Sequence, residues 1–205
     1  MLILGIDTST ANCSVGLARD GRIVNHHGLV DRAVHSEKLL ELVAQSLQGT
    51  NIAALDAIAV SIGPGSYTGL RIGLATAKGL AFPRQLPVLP VPTLAVLERV
   101  ARQDFDGAMV LFIRSHRDLI YYTGVANSSE TTWKRPVGHE KISRVVERFI
   151  PEYVFTGDSE LDLGHSHRSR LLYPRGDFAA LLATEHYQEL LPLNRPDLEL
   201  SLIHI

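Results

Sequence analysis

The order of secondary-structure signals in this chain of 205 residues repeats once, and the repeat constrains the fold more than any other feature. Three strand patterns come first, at residues 2–8, 13–18 and 23–27. The Asp20-Gly21 pair predicts a hairpin turn before the third of them. Apolar spacing then predicts alternating helices and strands, at residues 36–47, 57–62, 69–82, 88–91 and 93–102. The first half therefore has the order βββαβαβα.

The second half begins in the same way. Strands are predicted at residues 108–113, 119–126 and 131–135. A helix, two strands and a closing helix follow, at residues 141–149, 153–156, 170–173 and 178–191. Residues 157–169 are polar and too few to carry a full crossover helix, so we expect the second copy to be reduced.

Three hairpin-linked strands followed by helix-strand units, present twice, predict two lobes with a mixed five-stranded sheet in each. This is the α/β layout of the ribonuclease-H-like fold, duplicated as in actin, hexokinase and Hsp70. We expect an N-terminal lobe over residues 1–103, which carries the partner-binding helices, and a smaller C-terminal lobe over residues 104–205.

Composition and charge exclude several classes of protein and kinds of site. The chain is 45% hydrophobic and 20% charged with a net charge of −2, which is typical of a soluble globular protein. The halves carry +2 and −4, so neither has the basic excess that autonomous nucleic-acid binding calls for. Cys13 is the single cysteine, which excludes an internal disulfide and a multi-cysteine zinc site. With no signal-peptide pattern and no membrane segment in the sequence, we expect a cytoplasmic protein.

Polar residues end the first predicted strand. In the duplicated fold, the turn formed by Asp7, Thr8 and Ser9 is where phosphates are usually bound, because hydroxyl and backbone N–H groups converge there. The alternative is that these side chains only satisfy a tight turn. The Asp7-Thr8-Ser9-Thr10 sequence alone does not decide between the two.

Residues 63–73, Gly-Pro-Gly-Ser-Tyr-Thr-Gly-Leu-Arg-Ile-Gly, lie between a predicted strand and a predicted helix. Exposed N–H groups at a helix start form an anion site, so Ser66 and Thr68 join the candidate anion-binding residues. The segment is not a Walker loop, since Leu70-Arg71 stands where a Lys-Ser/Thr pair would be needed.

Small residues recur every fourth position along this helix, at Gly69, Gly73, Ala77 and Ala81. Such a ladder allows close backbone approach, either to the chain's own core or to another protein. The first helix carries a wide apolar surface, which favours a partner. The predicted partner-binding residues are Leu39, Leu40, Val43, Leu47, Gly69, Leu70, Gly73, Leu74 and Ala77.

The histidines and single nucleophiles give no catalytic site. There is no His-x-x-x-His pair, and we expect no physiological metal site. Cys13 alternates with Val15 and Leu17 in a strand pattern, so a core thiol is favoured over a nucleophile. Ser66 lacks the sequence context of a serine hydrolase.

The Leu4-to-Thr10 segment, the His35-Ser36-Glu37 helix start and residues 63–81 together closely resemble the TsaB (YeaZ) family. The resemblance is strong over about the first 100 residues. It implies an actin-like fold and a role in building threonylcarbamoyladenosine on transfer RNA. It further implies a non-catalytic subunit that works with its paralogue TsaD, which performs the transfer at a metal site, and with the ATPase TsaE. The family's partner contact involves the first-lobe helices.

By the same resemblance, the paralogue's metal-binding His-x-x-x-His corresponds to Thr93 and Leu97 here, and leucine cannot coordinate a metal. The chain departs from the family in the second lobe, where Arg114 replaces an acid and Leu119 a glutamate. This departure puts ligand or partner contacts of the inter-lobe cleft in question.

We therefore expect an accessory subunit rather than an enzyme. It would bind a TsaD-like paralogue and a TsaE-like ATPase, form a homodimer without its partner, and meet tRNA only within the complex. No cofactor is expected beyond weak ATP or ADP binding at the complex interface. The alternative is a nucleotide-dependent phosphotransferase or ATPase of the actin-like fold that uses Asp7.

Overall fold

A computed structural model describes residues 1–31, 35–127, 132–133 and 135–194. The first half forms five strands: β1 (Leu2–Asp7), β2 (Asn12–Arg19), β3 (Arg22–Val30), β4 (Ala57–Ser61) and β5 (Val88–Val91). They pair in the order β3-β2-β1-β4-β5. The pairs β1–β2 and β2–β3 are antiparallel, whereas β4 is parallel to both β1 and β5. Hairpins thus build one side of the sheet and crossovers build the other.

The α-helices in the described part of this half are α1 (His35–Ser46), α2 (Tyr67–Ala81) and α3 (Thr93–Ala101). In α1, buried Leu39, Leu42 and Val43 recur at three- and four-residue spacing, which explains the helix. The Ser66 side chain accepts a hydrogen bond from the Gly69 N–H and caps the start of α2.

The second half repeats the arrangement. Its strands are β6 (Met109–Arg114), β7 (Leu119–Val125), β8 (Gly138–Lys141), β9 (Val154–Gly157) and β10 (Arg168–Leu171). They pair in the order β10-β9-β6-β7-β8. Read from β8 to β10, this order repeats the order β3-β2-β1-β4-β5 of the first sheet. The helices are α4 (Ile142–Arg148), α5 (Gly176–Glu185) and α6 (Tyr187–Leu190). The repeated strand order confirms the predicted fold class. Residues 158–167 join parallel β9 and β10 without a helix, which confirms that the second copy is reduced.

One predicted strand is misplaced. The third strand of the second half was expected at residues 131–135, but β8 starts at Gly138. Positions 131 and 134 lie outside the described residues. Thr132 is held elsewhere, because its N–H and hydroxyl both donate to Glu98 Oε2 on α3, at 2.7 and 2.9 Å. Trp133 stacks on His186 with ring centroids 3.8 Å apart.

The two sheets and the helices form five layers. Helices α1 and α2 cover the outer face of the first sheet, and α4 covers the outer face of the second. Between the sheets lie α3 and α5, and each contacts the sheet of the other half. Helix α5, from the second half, packs on β1 and β2, and α3, from the first half, packs on β6, while Ala95, Val96 and Val100 of α3 also lie in the core of the first sheet. The division into lobes at residue 103 stays a prediction. In the described part of the chain, none of the helices has the length and apolar character needed to cross a membrane.

Candidate functional site

The turn after β1 is closed. Asp7, Thr8, Ser9 and Thr10 are each at most 1% exposed. Asp7 Oδ1 accepts hydrogen bonds from the N–H and the hydroxyl of Ser9 at 3.1 and 2.9 Å, and Oδ2 accepts one from the Ser61 hydroxyl. Burial raises the pKa of Asp7, and these hydrogen bonds oppose that rise by stabilising the carboxylate. The carboxyl is therefore bound entirely by its own chain in the contacts described.

The loop that leads into α2 fills the space over this turn. The Ser66 N–H donates to Ser9 O at 2.7 Å, and the Thr8 hydroxyl donates to Gly69 O at 2.7 Å. A Cβ atom at Gly65 would lie 2.5 Å from Ser9 O, and one at Gly69 would lie 2.1 Å from Thr8 O. The two glycines are needed because no side chain fits between the loop and the turn.

The anion site predicted at this turn stays a prediction, and the contacts of its residues disfavour it. Asp7, Thr8 and Ser9 are enclosed and hydrogen-bonded within the chain, and the Ser66 hydroxyl is the cap of α2. Thr68 is exposed on the first turn of α2. Of the two interpretations of this turn, the structural one fits the geometry at Asp7, Thr8 and Ser9, because their side-chain oxygens already have internal hydrogen bonds.

The start of α3 braces the same loop. The Gly63 N–H donates to Thr93 Oγ1 at 3.1 Å, and the Thr93 N–H donates to Gly63 O at 2.9 Å. Leu97, one turn later, is fully buried against β6 and β7. The two positions that correspond by resemblance to metal ligands thus serve packing. Within the described residues, no group of three or more His, Cys, Asp or Glu side chains is placed to hold a metal ion.

The small-residue ladder of α2 faces inward, so most of the predicted partner-binding residues lie in the chain's own core. A Cβ at Gly73 would lie 2.4 Å from Thr8 Oγ1, so the ladder seats α2 on the first sheet. The predicted contact residues that are buried in the chain's own core are Leu39, Val43, Gly69, Leu70, Gly73, Leu74 and Ala77. Leu40 is 60% exposed and Leu47 is half-buried, so these two remain accessible.

The exposed side of α1 and α2 carries a different set. Tyr67 is 52% exposed, and Ala75 and Gly79 form a second pair of small residues four positions apart on the solvent side of α2. A Cβ at Gly79 would meet nothing within 4 Å. We call Leu40, Tyr67, Ala75 and Gly79 the outer face. The sequence carried a signal for this face too, since Ala75 and Gly79 are small residues four positions apart.

Two further predictions concern single residues. Cys13 is fully buried, and burial raises the pKa of its thiol to about 12, which confirms a core thiol. The turn at Arg114, where the chain departs from the family pattern, is ordered by its own side chains: Asp158 Oδ1 accepts from the Arg114 N–H at 2.7 Å, and the Arg114 guanidinium donates to Ser159 Oγ at 3.1 Å.

Two sheets of identical strand order with exchanged inner helices define the duplicated actin-like class of α/β protein. The ethanolamine utilization protein EutJ from Carboxydothermus hydrogenoformans shares this fold, with a TM-score of 0.52 over 89% of this chain and 90% of that chain at 11% identity. YeaZ from Pseudomonas aeruginosa is much more similar, with a TM-score of 0.76, 29% identity and 92% of both chains covered.

The sequences agree with the structures. A sequence model of the TsaD family, described as tRNA N6-adenosine threonylcarbamoyltransferase, matches residues 30–152. The tRNA threonylcarbamoyladenosine biosynthesis protein TsaB of Escherichia coli is 42% identical over 162 residues, which cover 73% of this chain and 70% of that protein. TsaB of Haemophilus influenzae is 37% identical over 128 residues, which cover 61% and 54%. The chain belongs to the TsaB (YeaZ) family.

Proposed function

We propose that this chain acts in the biosynthesis of threonylcarbamoyladenosine on tRNA, as a non-catalytic subunit that binds a TsaD-like transferase. The pathway follows from the family, whose members carry that name. The match to the TsaD family model supports a paralogous partner, because related surfaces of the same fold can pair with one another.

The closed turn is the observation that carries the non-catalytic role. A phosphotransferase of the actin-like fold would need Asp7 to meet a nucleotide or its metal ion, and here Asp7 is 0% exposed with both carboxyl oxygens hydrogen-bonded internally. The ATPase alternative is therefore not favoured. Any ATP or ADP would be bound weakly and at the interface with the partner, not in this turn.

The outer face is the surface that we assign to the partner. Leu40 and Tyr67 expose apolar area, while Ala75 and Gly79 leave room for a partner helix to approach α2 closely. Buried Gly69 and Gly73 contribute to this surface indirectly, because they set the position of α2 on its own sheet. Without the paralogue, we expect the outer face to pair with a second copy of the chain. A TsaE-like ATPase would join the complex, and tRNA would meet this chain only there.

Reconstitution tests the function directly. Unmodified tRNA is incubated with the TsaD-like and TsaE-like proteins, ATP and the components that supply the threonylcarbamoyl group. Threonylcarbamoyladenosine should form only when this chain is added. The variant D7N should retain that activity, because Asp7 takes no part in the chemistry. Modification in the absence of the chain, or its loss in a folded D7N protein, would contradict the proposal.

Gly79→Arg tests the outer face separately. A side chain at Gly79 projects into open space, so the monomer should fold normally while the heterodimer is lost. The control is Ser143→Arg, which adds the same charge and bulk at an exposed position of α4, on the outer side of the second sheet. Size-exclusion chromatography of each variant mixed with the TsaD-like protein gives the answer. An intact heterodimer with G79R would place the contact elsewhere.

A further inference from the structure

The hairpin between β6 and β7 occupies the place in the second sheet that the closed turn occupies in the first, since each follows the first strand of its sheet. The two turns differ in chemistry. The first turn is acidic and buried, whereas residues 116–118 of the second are exposed and include an arginine. We call Arg114, Arg117, Lys141 and Arg144 the basic tip.

Internal hydrogen bonds fix the shape of this hairpin. The Arg114 guanidinium donates to Ser159 Oγ at 3.1 Å and to Arg117 O at 2.9 Å, which ties the β9 end to the hairpin. Arg117 has a φ of 53°, the left-handed conformation that non-glycine residues seldom adopt. The exposed Arg117 side chain therefore projects from a backbone that these hydrogen bonds hold in place.

Helix α4 adds cations to the same place. The Ile142 N–H donates to Asp118 O at 2.8 Å, so the first turn of α4, with Arg144, starts against the hairpin. Lys141 Nζ lies 3.7 Å from Asp118 Oδ2. Among the described residues, no carboxylate lies within 4 Å of the guanidinium group of Arg117 or Arg144. Positive charge therefore gathers here, although the second half as a whole carries −4.

We propose that the basic tip contacts backbone phosphates of tRNA while the TsaD-like partner holds the same molecule. The inference rests on the proposed function. Exposed arginines at a fixed projecting hairpin suit phosphates of a large nucleic acid, because a free nucleotide needs a concave site that encloses it. The chain's net charge of −2 and the small number of cations explain why binding would require the partner.

The test uses the heterodimer of this chain with its TsaD-like partner and unmodified tRNA. The double variant Arg117→Ala/Arg144→Ala removes two exposed cations and leaves Arg114 to hold the hairpin. Filter binding at a series of salt concentrations should show about tenfold weaker binding at low salt. The slope of log K against log salt should fall in magnitude by about 1.5, since each phosphate contact contributes roughly 0.7 to 0.9.

The matched control is Arg22→Ala/Arg84→Ala, which removes two exposed arginines from the first half. It should bind tRNA like the unaltered heterodimer. Equal loss in both variants, an unchanged slope with R117A/R144A, or no tRNA binding by the unaltered heterodimer would each overturn the proposal. Gel filtration separates these results from a failure of the proposed function: all variants should form the heterodimer, and its absence from the unaltered proteins would instead contradict the function itself.

Discussion

Asp7 shows how single residues convert an expected ligand site into a structural one. Its carboxyl is completely buried, and the Ser9 and Ser61 side chains provide hydrogen bonds that a ligand would otherwise supply. Burial raises its pKa, so the folded chain holds the Asp7 proton more tightly than the unfolded chain does. In this structure the turn after β1 is fixed against the start of α2.

This raised pKa predicts a pH dependence of stability. Where the unfolded Asp7 is ionised and the folded one is still protonated, the folded state binds more protons, so the free energy of unfolding falls as pH rises. The fall begins near the ordinary aspartate pKa and ends at the raised pKa of the folded state. D7N should remove this contribution. Urea unfolding between about pH 4 and about pH 8 measures it, with exposed Glu152→Gln as control. The same slope in D7N would contradict the assignment.

At the scale of elements, local patterns predicted most helices and strands, because each has a period and an end signal of its own. β5 matches the expected residues 88–91, and α2 ends one residue before the expected end. The side of α2 on which the ladder packs could not be predicted. Small-residue spacing indicates that another backbone comes close, but not whether that backbone belongs to the same chain or to a partner. The strand expected at residues 131–135 failed for a related reason. Long-range bonds from Thr132 to Glu98 override its local β propensity.

Two glycines of α2 provide a matched test of this orientation. Gly69→Ala should lower the free energy of unfolding by about 1 to 3 kcal/mol, because the new Cβ would meet Thr8 O at 2.1 Å. Gly79→Ala should raise it by about 0.5 to 1 kcal/mol, because its Cβ meets nothing and alanine favours the helix. Urea unfolding of both variants gives the two signs. Equal effects would mean that the inner and outer sides of α2 are wrongly assigned.

At the scale of the whole molecule, the exchange of helices makes each half depend on the other. The first sheet has α1 and α2 on its outer face, but residues of α5, together with Ala95, Val96 and Val100 of α3, cover its inner face. Phe178, Ala179 and Leu182 of α5 are each at most 4% exposed in that cluster. A partner bound to the outer face therefore rests on a sheet whose other side is completed by the end of the chain. The altered hairpin at Arg114 can diverge without disturbing that support, since it lies at a tip of the second sheet.

This dependence predicts the behaviour of the separated halves. Residues 1–103 alone should lack a cooperative urea transition, because removal of α5 exposes the inner-face side chains of β1 and β4, including Ile3, Ala57 and Ala59. Mixing this fragment with residues 104–205 should restore the transition and the far-ultraviolet circular dichroism of the intact chain. A fragment 1–103 that unfolds cooperatively by itself would show that its lobe is complete without α5, and that the exchange only joins two independent domains.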